Sequence, residues 1–460
     1  MNSPLKGLLI SCFFLLLKIP FPLFWASAQE KEELKKMQVF FRSGRLEEAS
    51  RYAHGLLQQY PSCYLCWRLI GECALCLGRL QEAQEAFQKA LSVFPGDKRS
   101  LALLKEVYIR EDRYSQAAQI AYALGEYGQG DLLKSFKGQK PFLVESKDPY
   151  VEIPFKEIVP YPIIEAELCG AAKARFMIDT GTTYVLLSSR MAKKAAIELF
   201  RKEKEQSSQG SYWIQWAKIP SLSLGGTSIK NIPAVVHSLL DIPRTGLEID
   251  GILGENFLSH FVPTFDLYGR WKNTPKYFIL GLSKPYVPIA YKNKIQGEEK
   301  KTEVPFLMGP AQTLLVLANI NRSFPLFFLL DTATPAYFAC SPSIAKLSRV
   351  WIQRNFFEQE PYIHRGGASG FDMQWELGAS RNTSQLGQAS QIELMGEKVH
   401  GSLAGIVGSL PYEGNLDLGL WTGGTIGFGF LYDKRTMIDY KNQKLYFWTP
   451  RASSSKEKAR

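Results

Sequence analysis

Two stretches of this chain read nearly alike. Phe176-Met177-Ile178-Asp179-Thr180-Gly181-Thr182-Thr183 and Phe328-Leu329-Leu330-Asp331-Thr332-Ala333-Thr334 each run an apolar strand into Asp-Thr, a small residue and Thr. A lone acid-then-glycine turn is common and carries little. The surroundings, however, repeat as well. Downstream stand Ile252-Leu253-Gly254-Glu255-Asn256-Phe257-Leu258 and Thr425-Ile426-Gly427-Phe428-Gly429-Phe430-Leu431, and in both a Gly is followed three residues later by Phe-Leu. Leu258 to Asp266 and Leu431 to Asp439 are equal steps of eight residues, and Ile153-Pro154-Phe155 and Val304-Pro305-Phe306 open the two halves. Four matched features in one order describe a duplicated unit, each copy offering one aspartate on a tight loop. The intervening texture is short β-prone runs cut by Gly and Pro, with a helical period only near Met191 to Phe200. Residues 149–285 and 286–450 are therefore predicted to be two all-β lobes.

Over roughly residues 150–449 this pattern closely resembles the retropepsin-like branch of aspartic peptidases. The resemblance implies that each lobe is a closed β-barrel and that the two Asp loops meet, as in pepsin-like enzymes with both lobes on one chain. It makes Asp179 and Asp331 the catalytic pair, with Thr180 and Thr332 exchanging hydroxyl bonds between the loops, and Gly181, Gly254 and Gly427 supporting them. It also implies a hairpin cover in each lobe, at Ser207 to Trp216 and at Arg365 to Trp375. Ala333 departs from the family's glycine.

Two carboxylates about 3 Å apart repel by about 5 kcal/mol at an effective dielectric near 20, which is about four pKa units. Such a pair shares one proton: the ionised member activates a water while the protonated one donates to the developing oxyanion. No cofactor or metal is called for. The expected function is an aspartic endopeptidase acting on a peptide or protein substrate. Two alternatives keep the fold: a homodimer of first lobes using Asp179 twice, and a non-catalytic peptide- or protein-binding scaffold with a degenerate cleft.

Ahead of the lobes, residues 31–128 repeat with a period of 34, seen in Gly44-Arg45-Leu46, Gly78-Arg79-Leu80 and Asp112-Arg113-Tyr114, and in Ala49, Ala83 and Ala117. With Trp67, Gly71, Ala74, Phe87, Ala90 and Pro95 in one unit, this resembles the tetratricopeptide repeat and implies an all-α domain that docks a protein partner. Four of the seven cysteines, Cys63, Cys66, Cys73 and Cys76, lie at the first helix of the second unit. Cys66 and Cys73 would stand about 10 Å apart along that helix, beyond the reach of one metal ion, so packing or local disulfides are expected instead.

Residues 129–148 read as a linker and 451–460 as a disordered basic tail. Lys6, the apolar run Gly7 to Leu17 and the small residues Ala26-Ser27-Ala28 read as an export signal over residues 1–28, giving a periplasmic or extracellular protein with no stable membrane span after cleavage. The net charge of +11 is spread along the chain without the aromatic-interleaved basic motifs of a nucleic-acid module, so no nucleic acid is expected.

Overall fold

The computed structural model describes residues 28–170, 172–207, 210–237, 240, 248–268, 275–282, 299–353, 385–408 and 419–450. The chain divides into two compact units, residues 1–111 and 112–460.

The first unit is helical: α1 (Ala28–Arg42), α2 (Leu46–Gln59), α3 (Tyr64–Cys76), α4 (Leu80–Val93) and α5 (Lys98–Arg110). The turns after α1 and α3 use Gly44 at φ 77° and Gly78 at φ 70°, a left-handed conformation that costs glycine nothing. Gly71 on α3 lets α4 come close, since a Cβ there would lie 2.6 Å from the Phe87 ring. Cys63 and Cys66 form a disulfide at the start of α3. Burial pushes the thiols of Cys73 and Cys76 up, the latter to about 12, so neither is a ready thiolate. Among the described residues no group of His, Cys, Asp and Glu is placed to hold a metal ion.

The second unit opens with α6 (Tyr114–Leu124) and α7 (Tyr127–Lys134). Its first lobe contains β1 (Leu143–Glu145), β2 (Tyr150–Glu157), β3 (Ile163–Leu168), β4 (Ala172–Ile178), β5 (Val185–Leu187), α8 (Ser189–Lys194), β6 (Glu198–Ser207) and β7 (Gly210–Leu224). It continues through β8 (Thr227–His237), β9 (Gly251–Leu253), α9 (Glu255–Leu258), β10 (Val262–Asp266) and β11 (Tyr277–Gly281). Strands β3, β4, β9, β5, β8 and β7 pair in that order and β7 returns to β3, which closes a six-stranded barrel. Its interior is filled by residues such as Ile164, Phe176, Ile178, Ile219 and Leu253, all fully buried.

The second lobe contains β12 (Glu299–Met308), β13 (Leu314–Ile320), β14 (Leu326–Asp331), β15 (Phe338–Cys340), α10 (Pro342–Leu347) and β16 (Trp351–Gln353). After these come β17 (Gln385–Leu394), β18 (Glu397–Val407), β19 (Thr422–Gly427), β20 (Arg435–Asp439) and β21 (Lys444–Pro450). Here β13 pairs with β14, β14 with β19, β19 with β15, β15 with β18, β18 with β17 and β17 with β13, repeating the order and the directions of the first lobe.

A third, antiparallel sheet joins the lobes in the order β2, β11, β10, β20, β21, β12. At its centre β10 lies against β20, with Phe265 opposite Thr436 and Asp266 opposite Arg435, and the latter two form a 3.2 Å ion pair. The repeated sequence steps acquire their meaning here. The eight-residue steps end on β10 and β20, the central pair, while Ile153 and Val304 sit on the outer strands β2 and β12. The sheet continues the apolar core from one lobe into the other, where the Phe265 ring packs edge-on to Phe278 and Phe428.

Two local expectations change. The stretch 129–148 is not an extended linker: Gln129, Gly130, Leu132 and Leu133 are buried in α7, and β1 pairs with β8. Gly128 and Gly130 admit neighbouring side chains there, because a Cβ at either would lie 2.7 Å from Glu203 or Tyr122. The helical period near Met191 stops at Lys194, and Glu198 onwards is strand because β7 supplies its ladder partners. The export signal apart from Ala28, the basic tail, the lobe boundary at 285 and the cover expected at 365–375 lie outside the described residues. Among the described residues no helix is long and apolar enough to cross a membrane.

Candidate active site

Each aspartate is delivered by a fully buried strand end and trapped by a second strand running parallel to it. In the first lobe β4 pairs with β9, and the backbone N–H of Asp179 donates to Leu253 O at 3.0 Å. The chain then folds so tightly around Gly254 that a Cβ there would lie 2.5 Å from Tyr184 O and 2.6 Å from Thr182 O. Only a residue without a side chain permits that approach. Beyond it Glu255 N–H donates to Thr182 O at 2.7 Å. In the second lobe β14 pairs with β19, placing Asp331 opposite Gly427. A Cβ on Gly427 would lie 2.2 Å from Ala336 O and 2.6 Å from Thr334 O, and Phe428 N–H donates to Thr334 O at 2.7 Å. Gly254 and Gly427, proposed from sequence as loop supports, occupy equivalent places.

The two loops lock together through hydroxyls. Thr180 Oγ1 donates to Leu330 O at 2.8 Å and accepts from Thr332 N–H at 3.1 Å; Thr332 Oγ1 donates to Ile178 O at 2.8 Å and accepts from Thr180 N–H at 3.1 Å. These four bonds are buried and obey a two-fold relation between the lobes. A hydroxyl that must both donate and accept at fixed positions explains threonine here, since no apolar isostere satisfies the facing backbone groups.

The lock brings the carboxyl groups of Asp179 and Asp331 together, at 0% and 1% exposure. Gly181 N–H donates to Asp179 Oδ1 at 2.7 Å and Thr182 Oγ1 donates to Oδ2. In the other loop Ala333 N–H donates to Asp331 Oδ1 at 2.8 Å and Thr334 Oγ1 to Oδ2 at 2.8 Å. Sequence reasoning gave Thr182 and Thr334 no role, although both copies of the motif contain them at the same step. The two carboxyls lie close enough for each to influence the other's proton. Burial, and next the neighbouring Asp331, hold Asp179 well above the usual carboxylate range. Burial raises Asp331 too, against the opposing pull of Thr334 and the Ala333 amide. Two acids that resist ionisation and face each other are placed to hold one proton between them.

Parts of the chain match known families. Residues 164–257 match the aspartyl protease family model. That span carries Asp179 and Gly254 and ends before Asp331. Two tetratricopeptide repeat models match residues 34–98 and 74–139, so both resemblances read from the sequence hold. The chain is similar to the crystal structure of basic 7S globulin from soybean over 65% of its own length and 94% of that chain, at 12% identity and a TM-score of 0.39. No curated protein matches the chain.

The cover expected at Ser207 to Trp216 falls on the hairpin of β6 and β7, where Ser207 pairs with Gly210. Trp213 is 52% exposed, whereas Trp216 is buried and packs edge-on to Tyr184 at 5.1 Å. Tyr184 stands just beyond the Asp179 loop, so the base of the hairpin touches the segment that presents the aspartate.

Proposed function

We propose that this chain is an exported aspartic endopeptidase in which Asp179 and Asp331 form one dyad. The observation that carries the reading is the two-fold lock: two buried carboxyls, each held by an amide and a threonine hydroxyl, brought together by Thr180 and Thr332. In this reading the second lobe is a closed barrel like the first, and the ring of pairings β13, β14, β19, β15, β18, β17 supports that. One aspartate, ionised, takes a proton from a water lodged between the carboxyls as its oxygen attacks the peptide carbonyl carbon. The other, protonated, donates to the carbonyl oxygen, and collapse of the tetrahedral intermediate returns the protons and releases amine and acid. Gly181, Gly254 and Gly427 keep the loops close enough for this, and the hairpin of β6 and β7 closes over the peptide to exclude water. The repeat domain presents a docking surface for a protein partner. Export rests on the sequence of residues 1–28 alone.

The test is cleavage of a mixed peptide library between about pH 3 and pH 7, the range in which a shared-proton dyad works. Hydrolysis that a statine-type inhibitor blocks supports the proposal. No cleavage at any pH, with peptides still bound, would replace it with the scaffold reading. The mature N-terminus is expected at or near Gln29, and N-terminal sequencing of exported material checks it.

A further inference from the structure

Residues 112–134 fall inside the second matched tetratricopeptide repeat model, residues 74–139, yet they lie in the same compact unit as the peptidase lobes. Three of their contacts converge on the segments that build the aspartate site. Glu203 on β6 accepts from the backbone N–H of Gly128 in the first turn of α7 at 2.5 Å, and its other oxygen accepts from Trp216 Nε1 on β7 at 2.9 Å. One carboxylate thus ties both strands of the hairpin to a helix start, where the exposed amides and the helix dipole favour a negative charge. The neighbouring Gln129 Nε2 donates to Tyr184 Oη at 2.7 Å. Tyr184 in turn packs on Trp216, and its carbonyl is one of the two that crowd Gly254. At the other end Asp112 bonds to His260 Nε2 at 2.9 Å, and the second ring nitrogen of His260 bonds to Asn256 O in α9, directly after Gly254.

Asp112 is a telling residue. The equivalent turns in the preceding repeats use Gly44 and Gly78 with positive φ, and Asp112 keeps that conformation at φ 58°. An aspartate accepts the left-handed conformation less readily than glycine, and here its carboxylate meets His260. Gly128 departs in the opposite sense. Glycine is a poor choice inside a helix, but a Cβ at this position would lie 2.7 Å from Glu203 Cδ and 2.8 Å from Trp216 Cδ1.

We propose that residues 112–134 act as a positioning strut for the aspartate site, holding the β6–β7 hairpin through Glu203, the Asp179 loop through Tyr184, and the Gly254 turn through His260. The proposal rests on the peptidase reading for its effect on turnover, but not for its effect on structure. The strut makes the last helices of the repeat a working part of the enzyme.

Two substitutions in the full chain separate this from ordinary packing, because each is favourable locally. Gly128→Ala improves the helix but wedges Glu203 and Trp216 outward; Asp112→Gly restores the repeat's own turn residue but removes the partner of His260. Local opening is read by amide hydrogen exchange. In Gly128→Ala, exchange at residues 180–184, 198–207 and 210–224 should quicken about tenfold while the melting temperature stays or rises. In both variants kcat should fall about tenfold, with KM moving less. Gln129→Ala, which removes the bond to Tyr184 without adding bulk, gives the milder version of the result should the other variants fold poorly. Unchanged exchange overturns the strut, and so does faster exchange with unchanged kcat. If the wild-type chain cleaves nothing, the peptidase reading fails separately, and the exchange result alone upholds or overturns the strut.

Discussion

The two aspartate loops hold their carboxyls by the same pair of bonds, an amide and a threonine hydroxyl, and at the residue that supplies the amide they differ by one methyl group. In the first loop Gly181 has no side chain, and a Cβ built there would lie 2.8 Å from the Asp331 carboxyl. In the second loop Ala333 stands in the equivalent place, fully buried, and its amide still reaches Asp331. Neither residue adopts positive φ, so conformational freedom does not decide between them. Space does. The pair of loops is two-fold in its bonds and asymmetric in its room, with the tighter wall on the Gly181 side. Burial raises both carboxyls, and at Asp179 the neighbouring Asp331 is the second cause, so the raised affinity for a proton belongs to the pair.

The largest effect should come from abolishing the comparison. Asp179→Asn and Asp331→Asn should each lower turnover at least about a thousandfold, and the double variant should be little worse, because the residues act as one unit. Initial rates on a cleaved library peptide check this. Should Asp331→Asn keep the wild-type rate while Asp179→Asn is dead, the dyad lies between two copies of the first lobe and the second lobe is structural.

Gly181→Ala sharpens the contrast. Its methyl has no room beside Asp331, so the loops must part by several tenths of an ångström, and turnover should fall about a hundredfold for so small a displacement of reacting groups. Rates alongside Ala333→Gly give the comparison directly. Equal tolerance at both positions would remove the asymmetry.

A gentler effect concerns stability. Asp179 holds its proton more tightly folded than unfolded, so between its unfolded value near 3.9 and its raised folded value the native state binds more protons. Its contribution to stability is therefore full below the unfolded value and is lost as pH rises through the folded value. Asp179→Asn should melt higher than the wild type at pH 7, by about 1 kcal/mol as is usual when a strained site is relieved. The gap should close towards acid. Thermal melts across pH read it, and a gap of the opposite sign would mean that the pair is not buried at the expense of its charge.

Much of this site was legible because the duplication writes it twice. Asp179 with Asp331, Thr180 with Thr332 and Gly254 with Gly427 were each found as a matched pair, and the equal steps to Asp266 and Asp439 marked the central strands of the joining sheet. What exists in one copy was harder to read. Gly130 suggests a linker by composition and Gly128 only the end of the repeat, since glycine as a flexible residue and glycine as a gap for a neighbour look identical in sequence. Glu203 is one charge in an alternating run, and nothing local says that its carboxylate meets a helix start 75 residues earlier. Thr182 and Thr334 are an intermediate case, visible in both motifs but without a role until the carboxyl orientation is known.

Ala333→Gly is the smallest change and the most pointed. Because Ala333 is buried at ordinary φ, glycine there loses one packed methyl and gains freedom in the unfolded chain, which should cost about 1 kcal/mol of stability. The amide that holds Asp331 is unaffected, so the dyad survives. If the methyl fits where the second loop has room, turnover should stay within about twofold of the wild type, since a surplus methyl that touches no reacting group costs nothing in the transition state. A rise of tenfold or more would show instead that the methyl holds the carboxyls apart, and would place the tight wall on both sides of the pair. Paired with the loss expected from Gly181→Ala, an unchanged rate here identifies which loop sets the separation of the two aspartates.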